Sequence, residues 1–543
     1  MEAKVSTAPC VLAIREKVKE WAASAKYKGV TDTTRTLLNY WFHNDHRLAN
    51  NRKFAYHYFQ REAVETLVYL YEVAKARSHK ALVEGFASQT DLRLLQHDQF
   101  ARYAVKMATG SGKTKVMSLA VAWQFFNAVA EGRDDFAKTF LLLAPNVIVF
   151  ERLRTDFEGG RIFNTDPIIP DELRIFWDFQ CYMRGEGERA SSQGALYLSN
   201  IQQFYERPDN DGDEPDEMTA VLGPKPPADK LVIADFDKRI AERGGPVVVL
   251  NDEAHHTHDE DNEWNKTIRA LHAGTSKGLA AQLDFTATPR HTKGELFSWT
   301  VYDYPLKQAI TDNVVKRPLK GIATGITEQR SDIASTRYQA YLTAGVERWK
   351  EYGEQLQRYG KKPVLFVMMN DTADADDVAD WLQKKYPSEF AGEKLVTIHT
   401  KKSGEISDKE LDKARKLSRE VDAQTSPVNC IVSVLMLREG WDVQGVTVIV
   451  GLRPYTAKAN ILPEQTVGRG LRLMFWGTGS GYVEHVDVIG NKKFIEFVED
   501  LEHEEDMQFG TFKVGEDKVV IVNIAPDPNK MDKDIAIPIL SRF

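Results

Sequence analysis

The chain has 543 residues, 42% apolar and 28% charged, with a formal net charge of −8. Such a length and composition describe a globular protein of roughly three or four domains, and no run of eighteen apolar residues exists to cross a membrane. The acidic balance excludes a generally basic nucleic-acid coat but leaves room for a local basic channel, and three distant cysteines (Cys10, Cys181, Cys430) suggest neither a disulfide framework nor a zinc site.

The N-terminus carries no apolar signal segment, which predicts a cytoplasmic protein. Residues 1 to about 100 read as a helical region, with apolar residues at three- and four-residue spacing over Val11–Ala25 and Ala55–Val73. Gln60 lies in the second run. It is either part of a plain amphipathic helix start or the reader of an adenine edge beside an aromatic.

From Tyr103 short apolar runs alternate with helical segments, the signature of a parallel α/β sheet. Strands are predicted over Tyr103–Met107, Thr139–Ala144, Ala195–Ser199, Val247–Asn251 and Ala281–Thr286. The acidic Glu206–Glu217 and the proline-rich Gly223–Pro227 between the third and fourth cannot bury much, and predict an exposed insertion without assigned function. A second alternation predicts strands over Pro363–Met369, Lys394–Thr400, Val428–Val434 and Val446–Leu452. The spacing predicts a first α/β domain over 101–310, a helical linker over 311–360 with its helix near Arg337–Tyr359, and a second α/β domain over 361–500. Residues 501–543 turn to β-like runs (Lys518–Ile524, Ile535–Leu540), read as a partial β-rich extension, the start of a further domain in a longer chain.

The first strand runs into Met107-Ala108-Thr109-Gly110-Ser111-Gly112-Lys113-Thr114, followed by a segment apolar at helical spacing. Strand, glycine-rich turn, Lys-Thr and helix are what a phosphate-binding loop requires, because glycines let the backbone wrap an anion and the helix N-terminus directs N–H groups at it. Ala108 stands where the usual pattern begins with glycine. Gly110, Ser111 and Gly112 would cradle ATP, Lys113 would reach its β- and γ-phosphates, and Thr114 would bind Mg²⁺. The buried run Val247–Asn251 ends in Asp252 and Glu253, assigned to Mg²⁺ and to the attacking water. A rival zinc site from His255, His256, His258 and Asp259 is disfavoured, because adjacent histidines do not face one point easily. Thr286 and Thr288 close another strand and could couple the γ-phosphate to movement of the second half. Gln465, Arg469 and Arg472 fall at i, i+4 and i+7 on one helical face, which suggests arginine fingers from across a cleft.

These stretches, in this order, resemble the superfamily-two helicases and translocases of the DEAD/DEAH type. Ala108–Thr114 matches motif I, Ala144–Asn146 motif Ia and Ser199–Gln202 motif Ib. Asp252–His255 matches motif II, Thr286–Thr288 motif III, Arg438–Val443 motif V and Gln465–Arg472 motif VI. Residues 438–443 and 462–472 look most like the restriction subunit of type III restriction–modification enzymes. The resemblance implies two tandem RecA-like domains with ATP and Mg²⁺ between them, with Gly440 and Asp442 of motif V also at the nucleotide. It implies nucleic-acid contacts from Pro145, Asn146, Asn200, Gln202, Thr400 and Arg438, with double-stranded DNA as the expected partner. A methyltransferase or another defence subunit is a further expected partner. The family's nuclease signature, Pro-Asp followed by Glu-x-Lys, finds no match, so no nuclease activity is expected of this chain. Two readings compete with a DNA translocase: an RNA helicase, and a nucleotide-gated scaffold that binds a protein partner without moving.

Overall fold

The computed structural model describes residues 8–519 except 24–25, 89–91, 93, 184–185, 187–191, 202–235, 258–261, 292–295, 323–327, 399–419, 424, 435–442, 453–467, 469, 476–482 and 505. A short hairpin of β1 (His46–Arg47) and β2 (Lys53–Phe54) precedes two seven-stranded sheets.

The first sheet holds β3 (Ala101–Met107), β4 (Thr139–Ala144), β5 (Phe179–Met183), β6 (Gly194–Asn200), β7 (Val247–Asp252), β8 (Leu279–Thr286) and β9 (Thr300–Tyr304), in the order β5-β6-β4-β7-β8-β3-β9. The second holds β10 (Arg317–Ile322), β11 (Val364–Met369), β12 (Leu395–Ile398), β13 (Cys430–Val434), β14 (Val446–Gly451), β15 (His485–Gly490) and β16 (Gly510–Lys513), ordered β12-β13-β11-β14-β15-β10-β16. Every pairing within both sheets is parallel. These are two tandem RecA-like α/β domains.

Burial on both faces explains why the central strands are unbroken apolar runs. In β4, Phe140, Leu142 and Ala144 join the core on one face while Leu141 and Leu143 join the other. In β11, Val364, Phe366 and Met368 part in the same way from Leu365, Val367 and Met369.

Three differences from the expected layout have clear causes. The stretch expected as a helical linker contains β10, which lies between β15 and β16 of the second sheet. Its Arg317, Pro318 and Lys320 hide the strand pattern. Beyond residue 500 the described chain contributes β16, while the rest of the expected β-like runs, from residue 520 on, lies outside the described residues, as do Glu206–Glu217 and Gly223–Pro227. The helices Val11–Ala22, Asp32–His43 and Tyr58–Val68 share one hydrophobic core with the first sheet. Thr34 Oγ1 accepts from Asn127 Nδ2 at 2.8 Å, and Glu72 accepts from Trp123 Nε1 at 2.7 Å, so the N-terminal region grips the helix Lys113–Ala130.

Candidate nucleotide site

Parallel pairing places the ends of the strands side by side. Lys106 stands opposite Thr286, Asn251 opposite Asp284, and Ala144 opposite Asn200, so the predicted motifs gather at the carboxyl edge of the first sheet, where such sheets bind ligands.

β3, buried along its whole length, delivers the chain into the loop Ala108–Gly112. Gly110 and Gly112 both take φ of +84°, a left-handed conformation that L side chains resist. A Cβ on Gly112 would lie 2.5 Å from Gln60 Nε2, and one on Gly110 would lie 3.2 Å from Val315 Cγ1 and 3.9 Å from Arg472 Cγ. Ser111 Oγ donates to the Ala108 carbonyl at 2.7 Å, which pins the turn. The helix Lys113–Ala130 then starts with its N-terminus at the loop.

β7 presents Asp252, fully buried, and Glu253, whose φ of +50° is a strained conformation for a non-glycine residue. Lys113 Nζ lies 4.0 Å from Glu253 Oε1. Burial pushes the Asp252 pKa up, opposed by the charges of Arg152 and Lys113 and reinforced by Glu253. Asp252 Oδ2 accepts from Arg152 Nη2, whereas the buried Oδ1 has no hydrogen-bond partner among the described residues. A carboxylate oxygen left open in this way, with the Thr114 hydroxyl following Lys113 in the chain, fits Mg²⁺, which takes one or two carboxylates and completes its shell with phosphates and water. Thr114 and Asp252 are the residues that would hold it.

His255 and Thr286 meet through Nδ1 and Oγ1 at 3.2 Å, and Thr288 N donates to the same Oγ1 at 3.1 Å, so the second and third motifs touch directly. His256 instead stacks on Trp264 with ring centroids 5.8 Å apart. Behind them Asp284 Oδ1 accepts from Asn251 Nδ2 at 2.7 Å and Gln282 Nε2 at 2.9 Å. Its Oδ2 accepts from Arg102 Nε and Trp299 Nε1, both at 3.1 Å. Arg102 also reaches the Thr257 carbonyl at 3.1 Å, tying down the turn after Glu253.

Residues 53–291 match the family model of the type III restriction enzyme, res subunit. Over these residues the chain is similar to that family. Solved structures with a similar fold include S. cerevisiae Dbp5 bound to RNA and ADP BeF3, at 13% identity over 76% of this chain and 85% of that chain with a TM-score of 0.43. They also include Mycobacterium smegmatis helicase Lhr bound to ssDNA and AMP-PNP, at 11% identity over 76% and 47% with a TM-score of 0.43. The type ISP restriction–modification enzyme LlaBIII bound to DNA aligns at 14% identity over 76% and 30% with a TM-score of 0.41. No curated protein matches the chain.

The res-like motifs are brought together in part. Lys113, Thr114, Asp252, Glu253 and Arg472 converge on the loop, with Arg472 carried in from the second half. Gln60 Oε1 accepts from His57 N and its Nε2 donates to Ser111 O, both at 3.0 Å, so it caps its own helix and props the loop. Among the expected nucleic-acid contacts, Pro145 and Asn200 are buried. Asn146 Oδ1 caps the helix Val147–Phe157 by accepting from Ile148 N and Val149 N at 3.0 Å. Gln202, Thr400, Arg438, Gly440, Asp442, Gln465 and Arg469 lie outside the described residues, as do His258 and Asp259 of the rival zinc reading.

Sequence reasoning missed Arg152 and the Asp284 network. An arginine six residues into a helix reads as a solvated charge until β4 and β7 are known to be neighbours.

Proposed function

We propose that this chain is an ATP hydrolase that uses the cycle to move along double-stranded DNA, the motor of a restriction-like DNA-processing or defence system. The observation that carries the reading is the convergence of Lys113, Asp252, Glu253 and Arg472 on the loop Ala108–Thr114. The loop's backbone N–H groups and the helix N-terminus would cradle the phosphates, with Lys113 neutralising the terminal ones. Bound Mg²⁺ would offset charge on the β- and γ-phosphates. Glu253 would orient the attacking water and accept its proton, and its fixed, strained backbone means that little reorganises as it does so.

Arg472 would contact the γ-phosphate from the second half, so the two halves hold ATP jointly and release one another when phosphate leaves. The His255–Thr286 contact, within reach of Glu253, is the route by which that loss would be felt beyond the loop. The likeness to the res subunit over residues 53–291 favours duplex DNA as the track. Backbone contacts imply binding that weakens with salt and ignores sequence.

Steady-state ATP hydrolysis with duplex DNA, single-stranded DNA or RNA tests the reading. Stimulation by duplex DNA that fades with added salt is expected. Stimulation by RNA alone would make it an RNA helicase. Hydrolysis indifferent to all three would favour the nucleotide-gated scaffold.

A further inference from the structure

Asp252 is steered by a residue that none of the motifs contains. Its Oδ2 accepts from Arg152 Nη2, while Oδ1, equally buried, has no hydrogen-bond partner among the described residues. Arg152 stands on the helix Val147–Phe157, which leaves the end of β4 under the cap of Asn146. β4 is the direct neighbour of β7, with Leu143 opposite Asn251, and this pairing carries the helix alongside Asp252. One turn further along, Asp156 feels the charges of both Arg152 and Lys115, and Lys115 is itself ion-paired to Asp166. The guanidinium therefore lies in the field of two carboxylates and leans on the more buried one.

A buried carboxylate without a counter-charge is costly, and a lone carboxylate ligand without an outer partner can rotate. A charge-assisted bond from a planar guanidinium offsets the first and restrains the second. We propose that Arg152 is a positioning residue of the magnesium site: it fixes Asp252 through Oδ2 and so leaves Oδ1 as the metal-facing oxygen. This rests on the reading of the loop as a Mg²⁺–nucleotide site. It also places the metal ligand's support on the helix that Asn146 caps, so one rigid element joins the metal ligand to the strand end expected to meet nucleic acid.

The test is Mg²⁺ titration of binding of a fluorescent ADP analogue to the full chain, beside binding of the analogue in EDTA. Loss of an outer-shell partner typically weakens metal binding about 10- to 100-fold. Arg152→Ala should raise the Mg²⁺ concentration for half-maximal binding by that factor, leaving binding in EDTA unchanged. Arg152→Lys, which keeps the charge and disturbs folding less, should fall between Arg152→Ala and the unmodified protein. A Mg²⁺ midpoint that stays the same in both variants overturns the proposal. A lower midpoint overturns it too, because Arg152 would then compete with the metal for Asp252. If the unmodified protein shows no Mg²⁺-dependent binding, the nucleotide-site reading itself fails. If it titrates normally and both variants follow it, only the role of Arg152 fails.

Discussion

Gln60 and Ser111 are joined by a 3.0 Å hydrogen bond from the Gln60 amide to the Ser111 carbonyl, across a sequence separation of 51 residues. The other end of the same amide accepts from His57 N. Support of the loop and recognition of a base predict different things. Gln60→Ala should weaken ATP and GTP binding by the same factor, roughly fivefold for one lost hydrogen bond of about 1 kcal/mol. A selective loss of ATP binding would instead show that Gln60 reads adenine. Competition binding with the two nucleotides decides it.

The carboxylate of Asp284 accepts four hydrogen bonds and has no exposed surface. Asp284→Asn keeps the shape but removes the charge facing Arg102 and turns an N–H₂ group toward donors. Removing one partner of a buried pair costs about 3–5 kcal/mol. A melting temperature several degrees lower is expected, with residual ATP binding in the folded fraction reduced because Asn251 and the Thr257 turn lose their anchor. An unchanged melting temperature would show that the network carries little energy.

Lys316 is buried, and its Nζ donates to the carbonyls of Gln444 at 2.5 Å and Val446 at 2.6 Å. Burial lowers its pKa to about 8, against the pull of Glu484 and Asp422. The folded state therefore sheds this proton before the unfolded state does, and between about pH 8 and the usual lysine pKa the unfolded chain binds more protons. Stability from this residue rises with pH across that window, and the cost of the buried charge is present in full below it. Urea midpoints at pH 7.5 and 9.5 should show this increment in the unmodified protein, and Lys316→Met should abolish it. Equal pH slopes in the two proteins would contradict the assignment.

Glu253→Gln should keep ATP binding and lose hydrolysis by about 10²- to 10⁴-fold, the usual contribution of a positioned base. Lys113→Ala should lose binding itself. Equilibrium nucleotide binding measured beside single-turnover hydrolysis separates the two. A Glu253→Gln protein that hydrolyses normally would remove Glu253 from the chemistry.

The parts of the fold that are legible in the sequence are those buried on both faces. β4 and β7 are unbroken apolar runs because each face meets a separate core, and their spans read almost residue for residue. β9 and β10 carry Asp303 and Arg317-Pro318-Leu319-Lys320, and the first lies at a sheet edge, so neither alternation nor apolarity marks them. The same holds at the site. Lys113, Thr114, Asp252 and Glu253 are local patterns with a fixed chemistry. Arg152, Asp284 and the loop-propping role of Gln60 depend on which strands and helices lie side by side, and chain order alone does not contain that.

The claim that this chain is a motor is tested most directly by displacement of a triplex-forming oligonucleotide from duplex DNA. The account predicts displacement with ATP, none with a non-hydrolysable analogue, and none with Glu253→Gln. DNA-stimulated hydrolysis without displacement would contradict translocation and leave a nucleotide-gated clamp in its place.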